Sequence, residues 1–186
     1  MPMNAIDFAI EVAAKAHRNQ LRKHTDIPYI THPVSVGMTL QKHGYSEDLV
    51  IAGILHDTIE DTPIDINYIK EHFGERIASI VKGCSEPDKR LPWEERKEHT
   101  IGHLKTASLE VKIVSCADKL HNIRTIAQDY RRIGDKVWDR FNRGKEEQKW
   151  YYRNLAESFC HEPFSLADED IFKEFRDEVE NLFGNE

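Results

Sequence analysis

Six consecutive residues, His56-Asp57-Thr58-Ile59-Glu60-Asp61, carry one imidazole and three carboxylates directly after the apolar run Leu49–Leu55. On a helix, residues four apart share a face, which pairs His56 with Glu60 and Asp57 with Asp61. Three carboxylates beside a core repel one another and lose hydration. A bound cation relieves both costs. A solvated helix end capped at Asp61 or Thr62 accounts for the same residues, and the segment alone leaves both readings open.

Two further segments bear on the choice. His32 lies in Thr31-His32-Pro33, where an isolated histidine also serves as a surface or capping group. Asp118 lies in "SCADKLHN", between Ala117 and Leu120. An aspartate inside an apolar helix needs a partner, and a salt bridge would satisfy it. Taken together, His32, His56, Asp57 and Asp118 form a mixed nitrogen and oxygen donor set. Such a set suits one divalent metal ion: manganese, iron, cobalt, nickel or zinc. Open coordination positions would hold water or a phosphate oxygen. Asn122, four residues after Asp118, falls on the same helix face.

The elements that must position these groups are helical throughout. No alternating strand pattern of useful length appears, and Asn-Gly turns are absent. The periodicity predicts a first helix over residues 4–19, with Ile6, Ile10, Ala13 and Ala16 on one face. A loop, "LRKHTDIPYIT", leads to a second helix with Pro33 in its first turn and Gly44 at its end. Ser46 caps a third helix over 47–60, which is apolar nearly all round and therefore central. Thr62-Pro63 stops it. Short helices follow at 65–72 and 75–82 around Gly74, then a loop at 84–93 and a helix at 93–106. Ser108 caps a long helix to about Ala127. Two helices broken near Gly144 follow, and Ser165 caps a last one carrying Ile171, Phe175, Val179 and Leu182. Trp138, Phe141, Trp150, Tyr151 and Phe159 are read as packing residues. The fold class is thus an all-α bundle, with a core over 1–130 and a helical extension over 131–186 packed on it.

Composition narrows the function classes. With 186 residues, 39% of them hydrophobic and 32% charged, the chain is long and apolar enough to bury a full core. The run at 49–55 is too short to cross a bilayer, and the acidic N-terminus has no basic region of the signal-peptide kind. A cytoplasmic protein with no membrane partner is expected. A formal net charge of -7 argues against nucleic-acid binding, while leaving room for a small anionic substrate held by a local basic cluster. Cys84, Cys116 and Cys160 contain no CxxC pair and are expected to be buried, reduced thiols.

The order His, His-Asp, Asp resembles the HD phosphohydrolase signature. Within it, "RKHTDIPYITHP", "ILHDTIEDT", "FGERIASIVKGCS" and "ADKLHNIRT" are similar to the hydrolase domain of RelA/SpoT-type proteins and the small alarmone hydrolases. The resemblance covers about residues 5–130 and implies the HD helical bundle. It implies one manganese ion on His32, His56, Asp57 and Asp118. It implies Glu60 and Asp61 as the catalytic pair that positions and activates water. Arg22, Lys23, Asn122 and Thr125 become the contacts to a small phosphorylated nucleotide, with Lys119 and Arg124 as weaker candidates. The implied reaction is hydrolysis of guanosine 3′,5′-bis(diphosphate) at the 3′ position. A nucleotide phosphatase, or a nucleotide-binding regulator without turnover, are the alternatives on the same scaffold. Glu86 stands where the family carries a basic residue. The region from Gly134 lies outside the resemblance, and the oligomeric state is not legible.

Overall fold

The computed structural model describes residues 4–86, 90–161, 163 and 169–184. Most of those residues are helical, and their only β-type pairing is an isolated bridge between Leu21 and Pro28. No helix among them is long and apolar enough to cross a membrane. Chain contacts divide the molecule into two compact units, Met1–Glu86 and Pro87–Glu186.

The first unit begins with α1 (Ala5–Ala16), whose start is fixed by the Asn4 side chain accepting the Ile6 N–H at 2.9 Å. After the 20–30 loop come α2 (Thr31–Lys42), α3 (Glu47–Leu55), α4 (Thr58–Asp61), α5 (Ile66–Phe73) and α6 (Glu75–Cys84). Every residue of α3 from Leu49 to Leu55 is buried, and α1, α2 and α6 pack around it. The central position expected for this segment is therefore observed. Ser46 is its N-cap residue but makes no side-chain capping bond. Gly74 ends α5 with a φ of 89°, a conformation open to glycine at little cost.

One expectation is corrected. The helix predicted over 47–60 is two helices, α3 and α4, separated by His56 and Asp57. Side chains take over carbonyls that the helix would use. His56 Nδ1 binds the Gly53 carbonyl at 2.7 Å, and the Thr58 hydroxyl donates to the Leu55 carbonyl at 2.7 Å. Such local bonds compete with the helical ladder.

The helices α2 and α3 approach closely through two glycines. A Cβ on Gly37 would lie 2.5 Å from Ile54 Cγ1, and one on Gly53 would lie 2.4 Å from Leu40 Cδ1. Both partner side chains are fully or almost fully buried, so neither can swing away without disturbing the core.

The second unit contains α7 (Trp93–Thr106), α8 (Leu109–Ile133), a 3-10 helix (Gly134–Arg140), α9 (Lys145–Phe159) and α10 (Asp170–Phe183). The Ser108 hydroxyl caps α8 through the Val111 N–H. That helix runs six residues beyond the expected end at Ala127, until Gly134 turns the chain with a φ of 62°. The first of the two helices expected after Gly134 is a 3-10 segment. Ser165, expected to cap the last helix, lies outside the described residues; α10 has Glu169 at its N-cap position.

α10 packs on α8 and α9, and α7 packs on α9. Phe159, Phe172 and Phe175 form a buried ring cluster, with Phe159 stacked on Phe172 at 5.6 Å. The expected packing role holds for Trp138, Tyr151 and Phe159, whereas Trp150 is exposed. Lys112 is fully buried, and its Nζ donates to the carbonyls of Ser158 and His161 at 3.2 Å each. A lysine thus closes the C-terminal end of α9, although burial pushes its pKa down. Arg124 holds α10 to α8 through Glu174 and through Glu178 at 2.9 Å. Cys116 is buried, and that burial raises its thiol pKa well above the ordinary value. Cys84 and Cys160 are only half-buried, so the expectation of three buried thiols holds for one.

The glycine contact gives a paired prediction. Gly53→Ala should destabilise the protein by about 1–2 kcal/mol, because overpacking outweighs the better helix propensity of alanine. Gly102→Ala, on α7 with nothing within 4 Å of its added Cβ, should stabilise by about 0.5–1 kcal/mol. Urea unfolding of both variants against wild type measures the two signs.

Candidate metal centre

Three of the four expected ligands, all in the first unit, converge on one point. His32 sits in the first turn of α2, with its backbone N–H bonded to the Tyr29 carbonyl at 2.9 Å. His56 follows the last residue of α3, and Asp57 opens α4. Both histidines are buried, His32 to 1% and His56 to 3% exposure, with ring centroids 5.3 Å apart. Asp57 Oδ2 lies 3.1 Å from His56 Nε2 and 3.7 Å from His32 Nε2.

Hydrogen bonding sets the electronic state of this cluster. A carbonyl oxygen only accepts, so His56 Nδ1 must carry a proton toward Gly53. In the neutral ring, Nε2 then presents a lone pair toward the Asp57 carboxylate. Two electron-pair donors at 3.1 Å repel unless a positive charge lies with them. Either a proton on Nε2 or a metal ion supplies it. A carbonyl-bound Nδ1 that leaves Nε2 for the metal is the usual second-sphere arrangement of ligating histidines. The donor chemistry of the residues therefore fits a divalent ion of the manganese-to-zinc series.

Glu60 and Asp61 follow on α4. Glu60 Oε2 accepts the backbone N–H of Glu86 at 2.9 Å, which ties the carboxylate to the segment after α6. The carbonyl of Asp61 accepts from Gln20 Nε2 at 2.7 Å. Gln20 Oε1 in turn meets His17 Nδ1 at 2.8 Å. The regular helix expected through His56 is interrupted by the turn between α3 and α4, whereas Asp57 and Asp61 stay one helical turn apart, with the Asp61 N–H bonded to the Asp57 carbonyl at 2.9 Å.

The 20–30 loop folds back on itself through the Leu21–Pro28 bridge, with the Arg22 N–H bonded to the Ile27 carbonyl at 2.8 Å. Arg22 is half-buried, with its guanidinium 5.8 Å from the centre of the Tyr29 ring; Lys23 is exposed. The Tyr29 hydroxyl donates to Asp57 Oδ2 at 2.5 Å. Tyr29, Gln20 and His17 were not among the residues that sequence patterns single out. Their roles depend on the loop returning to the metal ligands, which no local periodicity encodes.

In the second unit, Asp118 is buried in the middle of α8. It accepts from Asn122 Nδ2 at 2.6 Å, and Lys119 Nζ lies 2.8 Å from its Oδ2. Asn122 is thus on the Asp118 face, as expected. Thr125 donates its hydroxyl to the His121 carbonyl at 2.9 Å. Arg124, a weaker candidate for an anion contact, is engaged by Glu174 and Glu178 of α10.

Comparison with known proteins agrees with this chemistry. The HD domain family matches residues 9–145. A Xenopus tropicalis guanosine-3′,5′-bis(diphosphate) 3′-pyrophosphohydrolase, MESH1, is 37% identical over 76% of this chain and 78% of its own length. The Danio rerio MESH1 is 38% identical, over 63% of this chain and 66% of its own. A probable GTP pyrophosphokinase of Mycobacterium leprae is 35% identical over 67% of this chain, which spans only 16% of that longer protein. Among solved structures, lmo0812 from Listeria monocytogenes superposes with a TM-score of 0.75 at 35% identity, covering 85% of this chain and 97% of the other. A metazoan SpoT orthologue, described as hydrolysing ppGpp, superposes with a TM-score of 0.78 at 22% identity, covering 99% and 98%, and shares the fold.

The convergence on Asp57 predicts its effect on metal binding. Asp57→Asn removes the negative charge facing both imidazoles while keeping the side-chain shape. It should weaken Mn2+ binding by about 100-fold or more, since loss of a charged contact in a buried setting costs roughly 3 kcal/mol. Calorimetric titration of metal-stripped protein checks this.

Proposed function

Because the chain belongs to the HD domain family, we propose that it is a metal-dependent phosphohydrolase that removes pyrophosphate from the 3′ position of guanosine 3′,5′-bis(diphosphate). The observation that carries this reading is the meeting of His32 and His56 nitrogens at one Asp57 oxygen, three residues before Glu60. The MESH1 relatives, named for this reaction and 37–38% identical, support the substrate.

In this proposal Asp118 completes the ligand set with His32, His56 and Asp57, and the ion is manganese, with iron, cobalt, nickel or zinc as the other candidates. The bound ion would lower the pKa of water and polarise a phosphoryl oxygen. The protein's own groups do the rest. Glu60 and Asp61 orient the attacking water and accept its proton. The Glu86 N–H holds Glu60 so that its carboxylate does not have to be ordered during the reaction. The water oxygen ends on the released pyrophosphate, and a proton ends on the ribose 3′ oxygen. Arg22 offers a planar cation to the base or to a phosphate, and Lys23 adds charge at an exposed position. Asn122 and Thr125 are the proposed contacts to ribose and phosphate.

One observation favours a second reading. The residue whose N–H anchors Glu60 is itself acidic, and Glu86 disfavours a substrate carrying two diphosphates. An HD-type phosphomonoesterase acting on a less charged nucleotide meets that constraint. Manganese-loaded protein offered guanosine tetraphosphate, nucleoside monophosphates and dinucleotides separates the two. Pyrophosphate release from the first supports the main reading. Inorganic phosphate from a monophosphate alone replaces it with the second, and binding without turnover leaves a regulator.

Two substitutions test the division of labour. Glu60→Gln should keep the metal stoichiometry of wild type and lower kcat by about 100-fold or more, as for a lost general base. Glu60→Gln releasing metal as completely as His56→Ala would make Glu60 a ligand instead. Arg22→Ala should raise KM by about 10–100-fold with little change in kcat, the signature of a contact made equally in ground and transition states.

A further inference from the structure

The reaction proposed above uses Asp57 as a ligand and Arg22 as a substrate contact, and one side chain touches both. Tyr29 lies in the loop before α2. Its hydroxyl donates to Asp57 Oδ2 at 2.5 Å, and its ring lies 5.8 Å from the Arg22 guanidinium. The same ring meets His32 at 5.8 Å with a 66° interplanar angle, and His17 at 4.9 Å. We infer that Tyr29 is a positioning residue that fixes the Asp57 carboxylate for metal binding through its hydroxyl and orients Arg22 for the nucleotide through its ring. The inference rests on the metal reading of the preceding subsection.

Geometry gives the hydroxyl this task. Asp57 lies in the break between α3 and α4, so its backbone is not held by a regular helix on its N-terminal side. A carboxylate there can rotate. Asp57 Oδ2 is the oxygen that both imidazoles face, and the Tyr29 O–H bond fixes its direction. Partners of this kind orient metal ligands, and their removal commonly costs about 10–100-fold in metal affinity or activity.

The loop is rigid enough for the purpose. Tyr29 has its N–H bonded to the Gln20 carbonyl at 2.9 Å, and its own carbonyl accepts the His32 N–H. His17, 1% exposed at the end of α1, packs against the tyrosine ring while its Nδ1 donates to Gln20. Gln20 donates onward to the Asp61 carbonyl. The tyrosine is thus clamped from α1 and from α2, and the same clamp reaches the backbone of the residue after Glu60. A ring held on both sides presents one face to Arg22. A planar guanidinium keeps its orientation best beside such a face.

Two substitutions in the full chain separate the hydroxyl from the ring. Metal-stripped wild type, Tyr29→Phe and Tyr29→Leu are titrated with Mn2+ by calorimetry, and KM and kcat are measured after metal saturation. Tyr29→Phe should weaken Mn2+ binding about tenfold, with the thermal midpoint of the metal-free protein close to wild type and KM unchanged. Tyr29→Leu should show the same metal defect and, in addition, a KM raised about 2–5-fold. Mn2+ affinity of Tyr29→Phe within about twofold of wild type overturns the role of the hydroxyl. The same holds where Tyr29→Phe also lowers the thermal midpoint of the metal-free protein, since the hydroxyl would then serve the fold alone. Equal KM values for the Phe and Leu variants overturn the link to Arg22. Wild type that binds no Mn2+ in this titration overturns the metal reading itself and this inference with it.

Discussion

The site depends on how closely α2 and α3 approach. Gly37 and Gly53 leave no side chain between the two backbones at their crossing, so Ile54 and Leu40 each fill the space over the opposite glycine. His32 is carried by one of these helices and His56 by the end of the other. Their rings come within 5.3 Å because the helices do. A wider crossing would put a layer of apolar atoms between the two imidazoles, and Asp57 could then face only one of them. The dense packing of α3, buried along its last seven residues, turns this approach into a fixed distance.

That same burial sets the cost that the site must meet. Two imidazoles nearly without exposure and a carboxylate beside them would ordinarily be an unfavourable arrangement. The Gly53 carbonyl offsets part of it for His56, while the Tyr29 hydroxyl sets the direction of the Asp57 carboxylate. Each bond directs the remaining electron pairs inward instead of satisfying them. The arrangement is costly when no positive charge is present, and its stability rises with whatever cation it accepts. A metal-binding role thus accounts for the burial, which a solvated helix end does not.

The sequence made the helical class legible, because the apolar periodicity was strong and long. Leu49–Leu55 announced a central helix, and Ser108 and Gly74 announced real ends. The break at His56–Asp57 was not legible. Propensity and period both continue through it, and only the capture of the Gly53 and Leu55 carbonyls by side chains stops the ladder. The ligand types could be proposed from four residues in chain order, since imidazole and carboxylate have few reasons to sit beside apolar runs. Tyr29 could not. It lies in a segment whose motif was evident, yet a tyrosine in a loop carries no signal until the loop's return path is known. The clamp from His17 through Gln20 was hidden for the same reason: its members are 3 and 41 residues from their partners.

The loop after α6 shows how such a scaffold can change its preference without changing its chemistry. Glu60 is held by a backbone N–H, which any residue except proline at position 86 would supply. The side chain at 86 can therefore vary without loss of that bond. A basic residue there would add attraction for a highly charged nucleotide; glutamate adds repulsion. Were a substrate phosphate to bind within a few ångströms of it, exchanging one sign for the other would alter that interaction by about 1 kcal/mol or more. Glu60, the carboxylate proposed to activate water, keeps this backbone anchor under either choice. Under the proposed function, substrate preference and catalytic competence would thus rest on different atoms of Glu86, the side chain for one and the amide for the other.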